Sequence, residues 1–118
     1  MPTITEDYCS QEVYRLLREK GFDEEVHTTF DKEGYTQPSI TLQMAMKWLR
    51  IEHNIHIELN WDKGNQLYSF QIWKPGKYQP EISSLDLWRI YKDYNYPGEW
   101  KYEQACEVAI KYCLENLI

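Results

Sequence analysis

Cysteine, glycine and positive charge are all scarce in this chain, and each shortage removes a class of explanation. Three cysteines, Cys9, Cys106 and Cys113, are an odd number with no C-x-x-C pair, so they make no disulfide framework. With no signal peptide to be read, they point to a reducing compartment, and the expected location is the cytoplasm. Five glycines are present, none in a phosphate-cradling loop. Thirteen Lys and Arg stand against nineteen Asp and Glu, a net charge of −6. Such a surface repels phosphate backbones and anionic membranes, which disfavours nucleic acid as a partner. No apolar run approaches the roughly 20 residues that a membrane span needs. No nucleophile sits beside a recognisable base and no spacing pairs two carboxylates, so no catalytic residue and no cofactor is assigned.

What the chain has in excess is aromatic: five Trp and ten Tyr among 118 residues. A chain of this length suits one domain, burying about two-thirds of its unfolded surface. One core of that size does not easily absorb so many rings, so some are expected on the surface or at an interface.

The strongest pattern is Thr41–Trp61, TLQMAMKWLRIEHNIHIELNW. With Thr41 as N-cap, Leu42, Ala45, Met46 and Leu49 fall on one helical stripe, widened by Met44, Trp48 and Ile51. Gln43, Lys47 and Arg50 form the only coherent polar wedge. A helix apolar over most of its circumference is expected at the centre of the fold. Asn54 closes it in the left-handed region. Ile55, Ile57, Leu59 and Trp61 then alternate with polar residues, as in a strand with one face on a core.

Before this stretch, Ser10 caps a helix with Val13, Leu16 and Leu17 inward, ended by Gly21 and Phe22. Glu25–Phe30 and Tyr35–Gln37 flank the turn Asp31-Lys32-Glu33-Gly34, with Pro38 separating that hairpin from the central helix. After it, Asp62-Lys63-Gly64-Asn65 reads as a hairpin loop with Gly64 at positive φ, followed by a return strand Gln66–Trp73. That register puts Trp73 on the open face of the sheet. Residues 81–96 fit a short helix capped by Ser84 as well as a strand; we read Trp88–Tyr91 as a third strand, which widens a marginal two-stranded sheet. Tyr102–Leu117 is a helix with Ala105, Cys106, Ala109, Ile110, Cys113 and Leu117 inward, and Glu107→Lys111 as a favourable pair on its polar side. The expected fold is a small single α+β domain: helix, short hairpin, central helix, two- or three-stranded antiparallel sheet, C-terminal helix.

Each residue type that could carry chemistry has a structural reading beside it. Cys106 and Cys113 lie two helical turns apart, roughly 10 Å and beyond disulfide reach, and read as core. His53 and His56 straddle a break with no fixed mutual geometry, and with His27 they read as ordinary surface or boundary histidines; no metal site is assigned. Lys47 and Arg50 offer an anion contact, against the simpler reading of a solvated strip paired with nearby Glu.

The aromatic supply is the sharpest functional feature. Trp73, Tyr78, Trp88, Tyr91, Tyr94 and Trp100 are the candidate binding residues, in or beside loops, with Tyr96 and Tyr102 nearby. Tyr and Trp dominate binding hot spots, so the leading expectation is a non-enzymatic interaction domain with a protein partner or self-association. The alternatives are an acidic decoy that occupies a nucleic-acid-binding protein, and a small ligand-binding domain or enzyme.

Two segments, Thr41–Ile57 (TLQMAMKWLRIEHNIHI) and Tyr102–Ile118 (YEQACEVAIKYCLENLI), resemble a family of short, functionally unassigned proteins from Bacteroides-type gut bacteria. The resemblance implies a bacterial chain of the kind carried on prophages or mobile elements. It covers the two stretches read as core, so it bears on fold and transfers no site residue.

Overall fold

A computed structural model describes residues 7–23, 27–30, 36–90 and 100–118. The elements run α1 (Gln11–Glu19), β1 (His27–Phe30), β2 (Thr36–Ser39), α2 (Leu42–His53), β3 (His56–Asp62), β4 (Leu67–Trp73), β5 (Ile82–Ser83), α3 (Ser84–Ile90) and α4 (Tyr102–Asn116). The arrangement is the expected α+β one. Among the described residues, no helix is long and apolar enough to cross a membrane.

Local chemistry sets the helix ends. Ser10 Oγ accepts the Val13 N–H and starts α1. Gly21, at φ 102°, ends it, with Gly21 donating to Arg18 and Phe22 donating back to Leu17 at 2.9 Å. Thr41 Oγ1 accepts the Met44 N–H at the start of α2. Asn54, at φ 54°, closes that helix while Ile55 donates to the Leu49 carbonyl.

The centre of the molecule is α4, not α2 as its pattern implies. α4 packs on β3 and β4 and also touches α1 and α2. Its Ala105, Cys106, Ala109, Ile110, Cys113 and Leu114 are completely buried. Alanine and cysteine are small enough to let neighbours approach from two sides, which a Met- and Trp-bearing helix does not permit. α2 packs on α4 and β3 through Leu42, Ala45, Met46 and Leu49, but leaves Met44 and Ile51 exposed. Leu114 joins the buried face and Leu117 is only partly buried. On the polar side of α4, Glu107 accepts the Ser10 N–H at 2.9 Å and Lys111 pairs with Glu12 at 2.8 Å, so both tie α4 to α1.

β3 and β4 pair antiparallel from His56↔Trp73 to Asp62↔Leu67. The third strand is not Trp88–Tyr91. It is Ile82–Ser83, on the other side of β4, and Trp88 falls in helix α3; Tyr91 lies outside the described residues. The reason is local: the Asp86 carboxylate accepts from the Ser83 N–H and Oγ, and Ser83 Oγ accepts the Asp86 N–H, a reciprocal cap that starts a helix. Trp100 bridges Tyr68 farther along the same β4 edge.

Two turns also differ from expectation. Gly64 does not take positive φ; Gln66 does, at 57°. Asp62 holds the loop instead, accepting from Gly64 N–H and Asn65 Nδ2, and Gln66 donates to the Asp62 carbonyl. Pro38 lies within β2, paired with Thr28, rather than beyond it. A two-stranded sheet has only edge strands, where proline is tolerated. The Asp31–Gly34 turn lies outside the described residues.

Candidate functional site

The helical wheel of α2 explains its outward face. Leu42, Ala45, Met46 and Leu49 fill the arc toward α4 and β3, and Trp48 sits at its margin. Met44 and Ile51 fall beyond that arc, 40% and 64% exposed, with Lys47 between them and Arg50 alongside, both exposed. The end of α1 adds a wall. Phe22, buried by the turn at Gly21, meets the Trp48 ring edge-on at 5.7 Å. Arg18 lies over both Tyr14 and Phe22, donating to Tyr14 Oη and the Phe22 carbonyl. Phe22, Met44, Lys47, Trp48, Ile51 and Glu52 line a shallow groove of about 210 Å³. It has an apolar floor and one charge of each sign on its rim.

A second aromatic group lies where the β3–β4 hairpin meets α4. Trp61, 52% exposed, packs on its cross-strand partner Tyr68 at 5.0 Å, and Tyr68 meets Tyr102 of α4 at 5.1 Å. Trp61 has the inward parity expected of it, yet it stands past the end of the covered face, where the hairpin turns. Gln43 Nε2 donates to Tyr102 Oη at 2.8 Å, joining this group to α2. Burial pushes the Tyr102 phenol up, against the opposing effect of the Gln43 bond.

Among the described residues, the candidates named from the sequence do not assemble into one surface. Trp73 is on the open sheet face as expected, opposite His56 and half-buried, its indole Nε1 buried without a hydrogen-bond partner. Tyr78 is fully exposed in the loop before β5, beside a Lys77–Glu81 ion pair of 2.6 Å. Trp88 lies in α3, and Tyr91 and Tyr94 fall outside the described residues. Trp100 is not a surface ring: it is buried, stacked on Phe70 at 5.6 Å, with its backbone bonded to Tyr68. Lys47 and Arg50 are exposed on α2 as a solvated strip, and among the described residues no carboxylate forms an ion pair with either.

The titratable groups are placed as follows. His53 packs on Trp48, and His56 is exposed against the Asn54 amide oxygen. All three thiols are buried, and burial pushes Cys9 and Cys113 to about 12 and Cys106 to about 11, far from a thiolate nucleophile at neutral pH. Among the described residues no group of three or more His, Cys, Asp or Glu is placed to hold a metal ion.

Met44, Ile51, Trp61 and Tyr68 were not among the candidates. The signal for the first two was in the helical wheel, where they lie far round from Leu42 and flank Lys47. Nothing in local pattern marks Trp61, because where a covered face ends is decided by α4. Compared with known proteins, the chain matches no protein family, no curated protein and no solved structure.

Proposed function

We propose that this chain is a cytoplasmic protein-binding domain that docks its partner on the outward face of α2. The observation that carries the reading is the exposure of Met44 and Ile51 beside the exposed Lys47 and Arg50, over an aromatic floor. A small fold that has apolar side chains to spare usually buries them, and a contiguous exposed set marks an interaction surface. Trp48 and Arg50 are residue types that dominate hot spots, and the Trp61–Tyr68–Tyr102 group, tied to α2 through Gln43, offers further rings already held by their neighbours. Held rings lose little freedom on binding. Three buried free thiols support a reducing compartment. The excess of acid supports a protein partner over nucleic acid.

The test is affinity capture from a nuclease-treated native lysate, with the wild type, Ile51→Glu and Trp73→Ala compared side by side. Ile51→Glu loses the captured partner while keeping its far-UV circular dichroism and melting temperature; Trp73→Ala keeps the partner. Retention of the same partner by a folded Ile51→Glu variant removes α2 as the docking face.

A further inference from the structure

Two surfaces bordering α2 are complementary in charge and in apolar content. On the outward face Lys47 and Arg50 lack a carboxylate partner among the described residues and stand beside the exposed Met44 and Ile51. At the N-terminal end of the same helix, Asp7, Tyr8, Leu42, Glu103 and Glu107 line a shallow concavity of about 350 Å³. Its floor is apolar, with Tyr8 38% exposed, and its rim is anionic. The rim carries its own repulsion: the Asp7 carboxyl is raised above its ordinary range, by burial first and then by the charge and hydrogen bond of Glu103. Carboxyl groups that close either share a proton or gain from a cation.

We propose that the outward face of α2 docks on this acidic concavity of a second copy of the chain. The inference rests on the reading of α2 as a docking face and names its occupant. Charge selects among occupants, since two exposed cations with no ion pair among the described residues, on a chain of net charge −6, are drawn to an acidic surface. A second copy presents such a surface, with the exposed Tyr8 as the apolar match for Met44 and Ile51. Nucleic acid and anionic lipid would meet repulsion from the rest of the molecule. The two patches differ, so the contact is heterologous: Lys47 and Arg50 of one copy face Asp7, Glu103 and Glu107 of the other.

Sedimentation equilibrium on the full chain tests this directly. The wild type self-associates reversibly at low ionic strength, and raising the salt from about 0.05 to about 0.5 M weakens association roughly tenfold. The double variant Lys47→Glu/Arg50→Glu and the single variant Glu103→Lys each sediment as monomers with wild-type circular dichroism. Mixed in equal amounts they pair one to one, because the intact acidic patch of the first meets the intact basic face of the second. A wild type that stays monomeric up to about 1 mM overturns the proposal, and so does a mixture of folded variants that does not pair. If the wild type is monomeric while Ile51→Glu still loses its lysate partner, the docking face stands and only the second copy falls. If neither effect is seen, both readings fall.

Discussion

Gln66 holds a left-handed backbone that its side chain disfavours, so that the β3–β4 turn can close on Asp62. That conformation costs about 1–2 kcal/mol in a non-glycine residue, partly offset by the entropy that glycine would lose on folding. Gln66→Gly is therefore expected to stabilise the chain by about 0.5–1 kcal/mol, a rise of a few degrees in melting temperature. Trp100 and Tyr78 make the opposite pair. Trp100→Ala opens a cavity against Phe70 and costs about 3–5 kcal/mol, whereas Tyr78→Ala leaves the denaturation midpoint unchanged. The thiols give a pH dependence. Burial holds their pKa at about 11 to 12 against an ordinary 9.0, so the folded state keeps protons that the unfolded chain releases. Their contribution to stability is complete below about pH 9 and is lost as the pH rises through 11 to 12. Urea midpoints measured at rising alkaline pH check this, and Ellman's reagent is expected to find no reactive thiol in the native protein near pH 8. Residues whose role is set by adjacent backbone, such as Ser10, Thr41 and Asn54, were legible in the sequence. Gln66 was not, because the loop's hydrogen bonds to Asp62 decide which residue turns left-handed.

At the scale of elements, α1 is held to α4 in two ways of unequal strength. The Lys111–Glu12 pair and the Glu107–Ser10 bond are at the surface, where water and salt screen them. Val13 and Leu17 are buried beneath. Leu17→Ala is expected to cost about 2–5 kcal/mol, and Glu12→Gln to leave the melting temperature almost unchanged. Comparing the two by chemical denaturation shows whether packing or charge holds the helix. α3 shows where periodicity runs out: Leu85, Leu87 and Trp88 satisfy either period over so short a run, and a side-chain cap at Ser83 and Asp86 settles the matter. β5 is two residues long, below any length at which alternation can be seen.

For the molecule as a whole, the order of elements and the β3–β4 register follow from hydrophobic period and turn chemistry, and these were legible. Which helix stands at the centre was not. α2 has the more continuous apolar circumference, yet a helix placed between a sheet and another helix needs small residues on both flanks, and α4 has them. The same misreading concealed the candidate site, since an α2 fully covered by neighbours would have no outward apolar face.

The central position of α4 has a consequence for synthesis. It is translated after every element that rests on it, and it joins residues as distant as Ser10 and Glu107. Until it leaves the ribosome, α1, α2 and the β3–β4 hairpin have their apolar faces formed but nothing to close them. The nascent chain therefore waits as an open half-core, the kind of exposed surface that chaperones bind. A message cut short before Tyr102 would yield a polypeptide with most of the residues and no helix to close its core.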